Sequence, residues 1–388
     1  MSNIKVSQKI LLWAINRRGL TIAEVKKKFP KFDDWMNGVA NPSIRQIENL
    51  ARMTSTPFGY FFLQDPPEIV LAIPHFRTTD DGKPKAASPE LIETVQAMEL
   101  RQEWVKEFLT KRGVEPRSYV GSVGLRENIQ NAAKKIKEEL ALSDHWSANC
   151  ATFSDAHKVL RNSMEDIGIL VVVNGIVGNN TSRALDPNEF RGFVLSDPLA
   201  PLVFINGADS KGAQMFTLAH ELAHIFVGKS AAFDLKEMQP AADPSERLCN
   251  AIAAEILVPQ DQLTKLWKVH EKNNPYQMLA RLFKVSNLVV ARRALDLRLI
   301  TKDDFFDFYN LYLTEWAKHK AKIKKNSTGG DFYASQNLKV GRSFADFVVS
   351  AVREGSILYS EAYRLTGLSG SSFDKFVSSR RLKKTGSD

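Results

Sequence analysis

The chain has only two cysteines in 388 residues. Cys150 and Cys249 lie far apart and fit no paired metal or redox spacing, which excludes a disulfide framework and a cysteine-based metal cluster. Cys249, inside ERLCNAIAAEIL, is expected to be a small core residue. No apolar run approaches the roughly 20 residues of a membrane-crossing helix. No N-terminal stretch joins a basic flank, an apolar run and a small-residue cleavage site. The expectation is therefore a soluble, cytoplasmic protein with no membrane partner. Internal repeats and long low-complexity tracts are missing too, which excludes solenoids and fibrous arrays. The hydrophobic content of 44% supplies sizeable cores, and the length suits two or three domains.

Charge is of uneven sign. The net charge is +9, with ten basic residues against four acids in the first 60 positions. Such an excess favours an acidic partner, nucleic acid above all. Lys and Arg recur from Lys318 to Lys325 and from Arg380 to Lys384, where solubility is an equally good reason.

Periodicity and punctuation divide the chain into four parts. Residues 1–65 form a bundle of short helices: Ser7 to Arg17 ended by Gly19, a second capped by Thr21 and stopped at Pro30, a third carrying Phe32, Trp35 and Met36, and a fourth opened by Asn41-Pro42-Ser43. Phe58 to Leu63 is apolar and should dock onto them. Residues 66–120 are a connector rich in turn formers, followed by a long helix from Pro89 to Lys111. Residues 121–320 hold helices at 126–142 and 153–166, then strands at Gly168–Asn174, Phe190–Ser196 and Leu202–Asn206, then further helices. After a basic linker, Lys320 to Gly330, residues 330–388 form a small helical module with periodic Phe344, Phe347, Val348 and Val352; its Tyr359–Phe376 part weakly suggests a helix–turn–helix. The fold class is α+β, predominantly helical, with a small sheet.

The most informative segment is FTLAHELAHIFVG. It holds HExxH at His220, Glu221 and His224. Two imidazoles four residues apart stand on one helix face and can reach one zinc ion, with Glu221 beside the water that zinc would activate. The pattern occurs by accident in on the order of one chain in a hundred at average composition, so context decides. The helix is otherwise apolar, and two imidazoles and a carboxylate facing one way need partners there. A metal supplies them. A zinc site needs a third ligand. A third His six residues after the second is excluded, because Ser230 stands there and Val227 where a Gly would precede it. The alternative is a Glu on the following helix, Asp243 to Leu257: Glu246 in its first turn is favoured, with Glu255 near its end as rival. The strand Pro201–Asn206 precedes the site, and an exposed strand edge beside a zinc helix binds extended peptides. That suits a protease.

With QMFTLAHELAHIF at 214–226 and SERLCNAIAAEILVP at 245–259, the chain resembles the ImmA/IrrE family of zinc metallopeptidases over roughly 125–300. Cys249 stands where Ala is usual and Ile252 where Phe is usual, both apolar exchanges. The resemblance implies a zincin-like metallopeptidase domain of the HExxH…E type, Zn2+ held by His220, His224 and Glu246, and Glu221 as catalytic base. It implies a protein substrate, a helix-turn-helix repressor or related regulator, in a stress-response, mobile-element or toxin–antitoxin setting with a cognate toxin as a further partner. Residues 7–63 are similar to an XRE-type helix-turn-helix domain, with Trp35, Gly38 and Pro42 matching its W-x-x-G-x-x-x-P pattern. DNA is thus a candidate partner, with Lys26, Lys27, Lys28 and Lys31 as backbone contacts. Asp33 and Asp34 depart from that pattern where base-reading residues would sit, and carboxylates repel phosphates. Docking of a related repressor is the rival use. The competing reading of the whole chain is a DNA-binding transcriptional regulator, or an antitoxin-like binding protein, whose peptidase domain is a sensor or silent.

Overall fold

The computed structural model describes residues 4–69, 71, 73, 79–80, 83–84, 87–233, 243–270, 275–323 and 332–384. Parts of the expected connector, of the 229–242 loop and of the Lys320–Gly330 linker, together with His75, lie outside the described residues. The chain divides into two compact units, Met1–Gln96 and Ala97–Asp388.

The first unit holds four short helices, α1 (Gln8–Arg17), α2 (Ile22–Lys28), α3 (Phe32–Met36) and α4 (Ile44–Thr54), then a 3₁₀ turn, Phe58–Phe62. Local chemistry sets their bounds. Thr21 with Glu24, and Ser43 with Gln46, form capping boxes that satisfy the free N–H groups opening α2 and α4. Gly19, at φ +65°, turns the chain between α1 and α2. Ile10, Leu11, Ala14, Val25, Phe32, Trp35, Ile47, Leu50 and Phe61 form one buried core. Of the apolar 58–63 segment only Phe61 is buried; Phe58, Phe62 and Leu63 are exposed. A minimal antiparallel ladder, β1 (Thr79–Asp80) with β2 (Lys83–Pro84), follows. The helix α5 (Pro89–Thr110) has residues in both units.

The second unit builds a sheet behind the HExxH helix. Helices α6 (Ile129–Glu139) and α7 (Phe153–Asp166) precede β3 (Leu170–Asn174), a small hairpin of β4 (Ile176–Val177) with β5 (Asn180–Ala184), then β6 (Gly192–Leu195) and β7 (Leu202–Asn206). The helix α8 (Lys211–Val227) leads to β8 (Ala231–Phe233) and α9 (Pro244–Leu257). The main sheet has the order β3-β7-β6-β8, with β3 parallel to β7 and the other pairs antiparallel.

That order corrects the expected exposed edge at Pro201–Asn206. The strand β7 is paired on both sides, and all five of its residues are buried. Its unbroken Leu-Val-Phe-Ile run is the signature of a strand covered on both faces. The edges are β3, where α14 (Phe332–Val340) packs, and β8. The helix α8 lies against β6, β7 and β8. Gly192 on β6 lets it approach: a Cβ there would sit 2.7 Å from Thr217 Cγ2. Further helices α10 (Gln260–His270), α11 (Pro275–Phe283), α12 (Asn287–Asp296) and α13 (Lys302–Ile323) follow. The expected linker thus begins inside α13.

The C-terminal module comprises α14, α15 (Arg342–Arg353), α16 (Tyr359–Thr366) and α17 (Gly370–Lys384). Glu165 of α7, almost fully buried, accepts from the backbone N–H groups of Arg342 (2.6 Å) and Ser343 (3.1 Å), and so caps α15. Phe344 packs edge-on against Trp104 of α5, and Phe108 against Phe347. Among the described residues no helix is long and apolar enough to cross a membrane.

Candidate metal centre

The site is assembled by two helices with well-made ends. Ser210 accepts from the Ala213 N–H at 3.3 Å and opens α8. Gly228, left-handed at φ +77°, closes it, and the Lys229 N–H returns to the His224 carbonyl at 3.1 Å. Between them Met215, Leu218, Ala219, Leu222, Ala223, Ile225 and Phe226 bury in the core, so the helix has little freedom to rotate. Asp243 opens α9 by accepting from Ser245 N at 2.7 Å, with Pro244 at the first helical position. Glu246 thereby falls in the first turn of α9, which packs along α8.

The His220 and His224 Nε2 atoms lie 3.0 Å apart. Each is 3.2 Å from a different oxygen of the Glu246 carboxylate. These separations are close to the donor–donor edge of a tetrahedron around an ion bound at the usual 2.0–2.1 Å, roughly 3.3 Å. Among the described residues this is the one cluster of three His, Cys, Asp or Glu groups whose ligand atoms all fall within 4.8 Å. The histidines are at most 1% exposed, whereas the Glu246 side chain is 25% exposed. The cluster is therefore open to solvent on the Glu246 side.

The electrostatics of the cluster call for a cation. Burial pushes the His220 imidazole down to about 4, against the opposing pull of Glu246, so it is neutral at pH 7 and free to ligate. Burial pushes Glu246 up, but its hydrogen bonds to His220 and His224 outweigh this and hold it well below the usual carboxylate range. Burial, and then the negative charge of Glu246, raise Glu221 far above its ordinary value. Both Glu221 carboxylate oxygens are buried without a hydrogen-bond partner among the described residues. A fully buried carboxylate beside a second one is costly unless positive charge joins them. The donor set, its spacing and this uncompensated acid fit a divalent metal, and two imidazoles with a carboxylate suit zinc.

Glu255, the rival ligand, is engaged elsewhere. It forms a buried ion pair with Arg293 and accepts from Gln260 N at 3.3 Å, while Arg293 Nε donates to the Val258 carbonyl at 3.2 Å. Cys249 is fully buried, and burial pushes its thiol up, so it stays protonated. Two residues near the site escaped the sequence reading. Asn250, one turn beyond Glu246, hydrogen-bonds His220 and slightly opposes the lowering that burial imposes on it. Arg293 anchors the far end of α9. The i,i+4 spacing of Glu246 and Asn250 signals the first; nothing local marks the second, 38 positions from Glu255.

The four N-terminal lysines, Lys26, Lys27, Lys28 and Lys31, are all exposed in the first unit. Lys26 pairs with Asp33, so one lysine and one of the two acids of α3 neutralise each other. Lys27, Lys28 and Lys31 have no ion pair among the described residues.

Residues 164–295 match the family model of the IrrE N-terminal-like domain, Peptidase_M78. This IrrE-like segment begins in α7 and ends in α12, so it contains the central strands, both site helices and Arg293. The match supports a metallopeptidase of the ImmA/IrrE type. Residues 340–379, most of the C-terminal module beside the IrrE-like segment, match a domain of unknown function, DUF8813. No curated protein matches the chain.

Proposed function

We propose that the chain is a zinc-dependent endopeptidase acting in gene regulation, with a helix-turn-helix repressor or related regulatory protein as substrate. The observation that carries this reading is the triangle of His220, His224 and Glu246 beside the buried, uncompensated Glu221. His220, His224 and Glu246 would hold the metal. Zinc, when bound, supplies Lewis-acid polarisation of a carbonyl and makes water a stronger acid. Glu221 takes the proton of the attacking water and delivers it to the leaving amine. Burial and the neighbouring Glu246 raise its proton affinity, which favours its taking up that proton. The helices around α8 exclude water from the Glu221 side, while Glu246 marks the open side.

The regulatory setting rests on the basic N-terminal unit and its likeness to XRE-type helix-turn-helix domains. Such a unit would recognise a repressor built on the same plan, and a neighbouring toxin would extend the setting to toxin–antitoxin pairs. In the test, purified chain is incubated with a helix-turn-helix regulator encoded beside its gene. The wild-type protein is expected to cut it with zinc and to stop on chelation, and Glu221→Gln to keep the metal and lose cleavage. Normal cleavage by Glu221→Gln would overturn the mechanism.

A second reading, direct DNA binding, is favoured by the exposed Lys27, Lys28 and Lys31, which form no ion pair among the described residues. It predicts affinity that falls steeply with salt and weakens on neutralising those three lysines. Salt-independent binding, or none at low ionic strength, contradicts it.

A further inference from the structure

The second unit carries a cavity of about 420 Å³ where α10, α11 and α13 converge. Its walls include Trp267, Tyr276, Phe308 and Leu299, and two acids, Asp304 and Asp307. The three rings are in contact. Trp267 meets Tyr276 edge-on with centroids 5.6 Å apart, and Tyr276 lies 4.4 Å from Phe308 at 36°. Asp304, Asp307 and Phe308 share one face of α13, being spaced three and four residues apart.

Neither acid forms an ion pair among the described residues. Asp304 receives the Thr301 N–H (3.0 Å) and hydroxyl (2.6 Å) on the single oxygen Oδ2, which leaves Oδ1 for another partner. The charge of Asp304 reaches the ring: burial first, then Asp304, push the Tyr276 hydroxyl up. Two acids on one helix face with no ion pair among the described residues stand out in a chain of net charge +9.

Aromatic faces attract cations through their quadrupole, and carboxylates add direct Coulomb attraction. An inorganic cation gains little from ring faces because it holds its water. A guanidinium is weakly hydrated, stacks on rings and donates in a fork that a carboxylate accepts. The volume lies within the range of small-ligand sites, about 300–1,000 Å³. We propose that this pocket binds a guanidinium group, stacked on Tyr276 and its neighbours and hydrogen-bonded to Asp304 and Asp307. The group belongs either to a free arginine-like molecule or to an arginine side chain of a protein. This inference is independent of the metal centre and of proteolysis.

The test is calorimetric titration of the full chain, wild type and Asp307→Asn, with four probes. These are N-acetyl-arginine amide, its neutral isostere N-acetyl-citrulline amide, and a helical peptide carrying one arginine or one citrulline. Asp307 is exposed and makes no described hydrogen bond, so its variant keeps the fold; Tyr276→Leu is the companion that removes the ring. Saturable binding of the arginine amide, about tenfold weaker for citrulline and about tenfold weaker in Asp307→Asn, supports a site for free ligands. The same pattern with the peptide alone supports a site for a protein's arginine. No saturable arginine binding, equal binding of citrulline, or an unchanged affinity in both variants overturns the proposal.

Discussion

Arg293→Met probes the anchor of the helix that delivers Glu246. Arg293 and Glu255 are both nearly buried, with side chains 8% and 11% exposed. Removing only the cation leaves a buried carboxylate whose remaining partner among the described residues is the Gln260 N–H, and it strips the Val258 carbonyl of the Arg293 donor. Breaking a buried pair from one side costs about 3–5 kcal/mol. At about 2 °C per kcal/mol for a domain of this size, the melting temperature should fall by roughly 6–10 °C. The double variant Glu255→Gln/Arg293→Met carries no uncompensated charge and should recover at least about 2 kcal/mol of that loss. Urea and thermal unfolding of the three proteins at pH 7 measure both quantities. Below the transition, folded Arg293→Met should still bind zinc, because Glu246 lies at the other end of α9. A loss under about 1 kcal/mol, or a double variant no more stable than the single one, would refute the argument that this pair is a buried, charge-compensated anchor.

Three further outcomes follow from the same structure. His157 is 3% exposed, and burial, with the charges of Lys211 and Arg161, pushes it down to about 3 from an ordinary 6.5. The unfolded chain therefore binds a proton that the folded one refuses between those values, so stability falls with pH from about 6.5 towards 3. His157→Gln should remove about 2 kcal/mol of the loss between pH 7 and pH 5, read by urea unfolding at the two pH values, and an unchanged pH slope contradicts it. Gly228→Ala must force a left-handed residue to within 2.9 Å of the Gly121 Cα at the end of α8. It should cost more than about 1–2 kcal/mol in the same assay, and wild-type stability would show that the turn is not tight. Ser210→Ala should cost about 1 kcal/mol by loss of the α8 cap, and rescue by Asp or Thr distinguishes capping from packing.

Short-range chemistry was legible in the sequence. Thr21, Ser43 and Asp243 announce helix starts through their own side chains, and the structure has each capping a helix; Thr152 and Ser210 cap α7 and α8 in the same way without having been read as starts. The α+β class and the three apolar strands follow from runs long enough to carry a periodicity. Strands without such a run were missed. The strand β5 is polar and mostly exposed, and β4 has two residues. The strand β8 is three residues between two helices, fixed by its pairing with β6 and not by its own composition. The misplaced edge has the same origin: strand order depends on contacts distant in sequence, although the full burial of Leu202–Asn206 was implicit in its unbroken apolar run. At the centre, HExxH and the first-turn position of Glu246 were readable from helical spacing. The choice between Glu246 and Glu255 required Arg293, a partner that only the folded chain brings to Glu255.

The most direct test of the central idea, that His220, His224 and Glu246 together hold one zinc, is metal content and affinity by competition with a chromogenic chelator. Wild type, Glu221→Gln and Glu255→Gln should each carry about one zinc per chain, and Glu246→Gln should lose it to the chelator by at least about tenfold. Zinc held as tightly by Glu246→Gln as by wild type, or lost from Glu255→Gln instead, would contradict it.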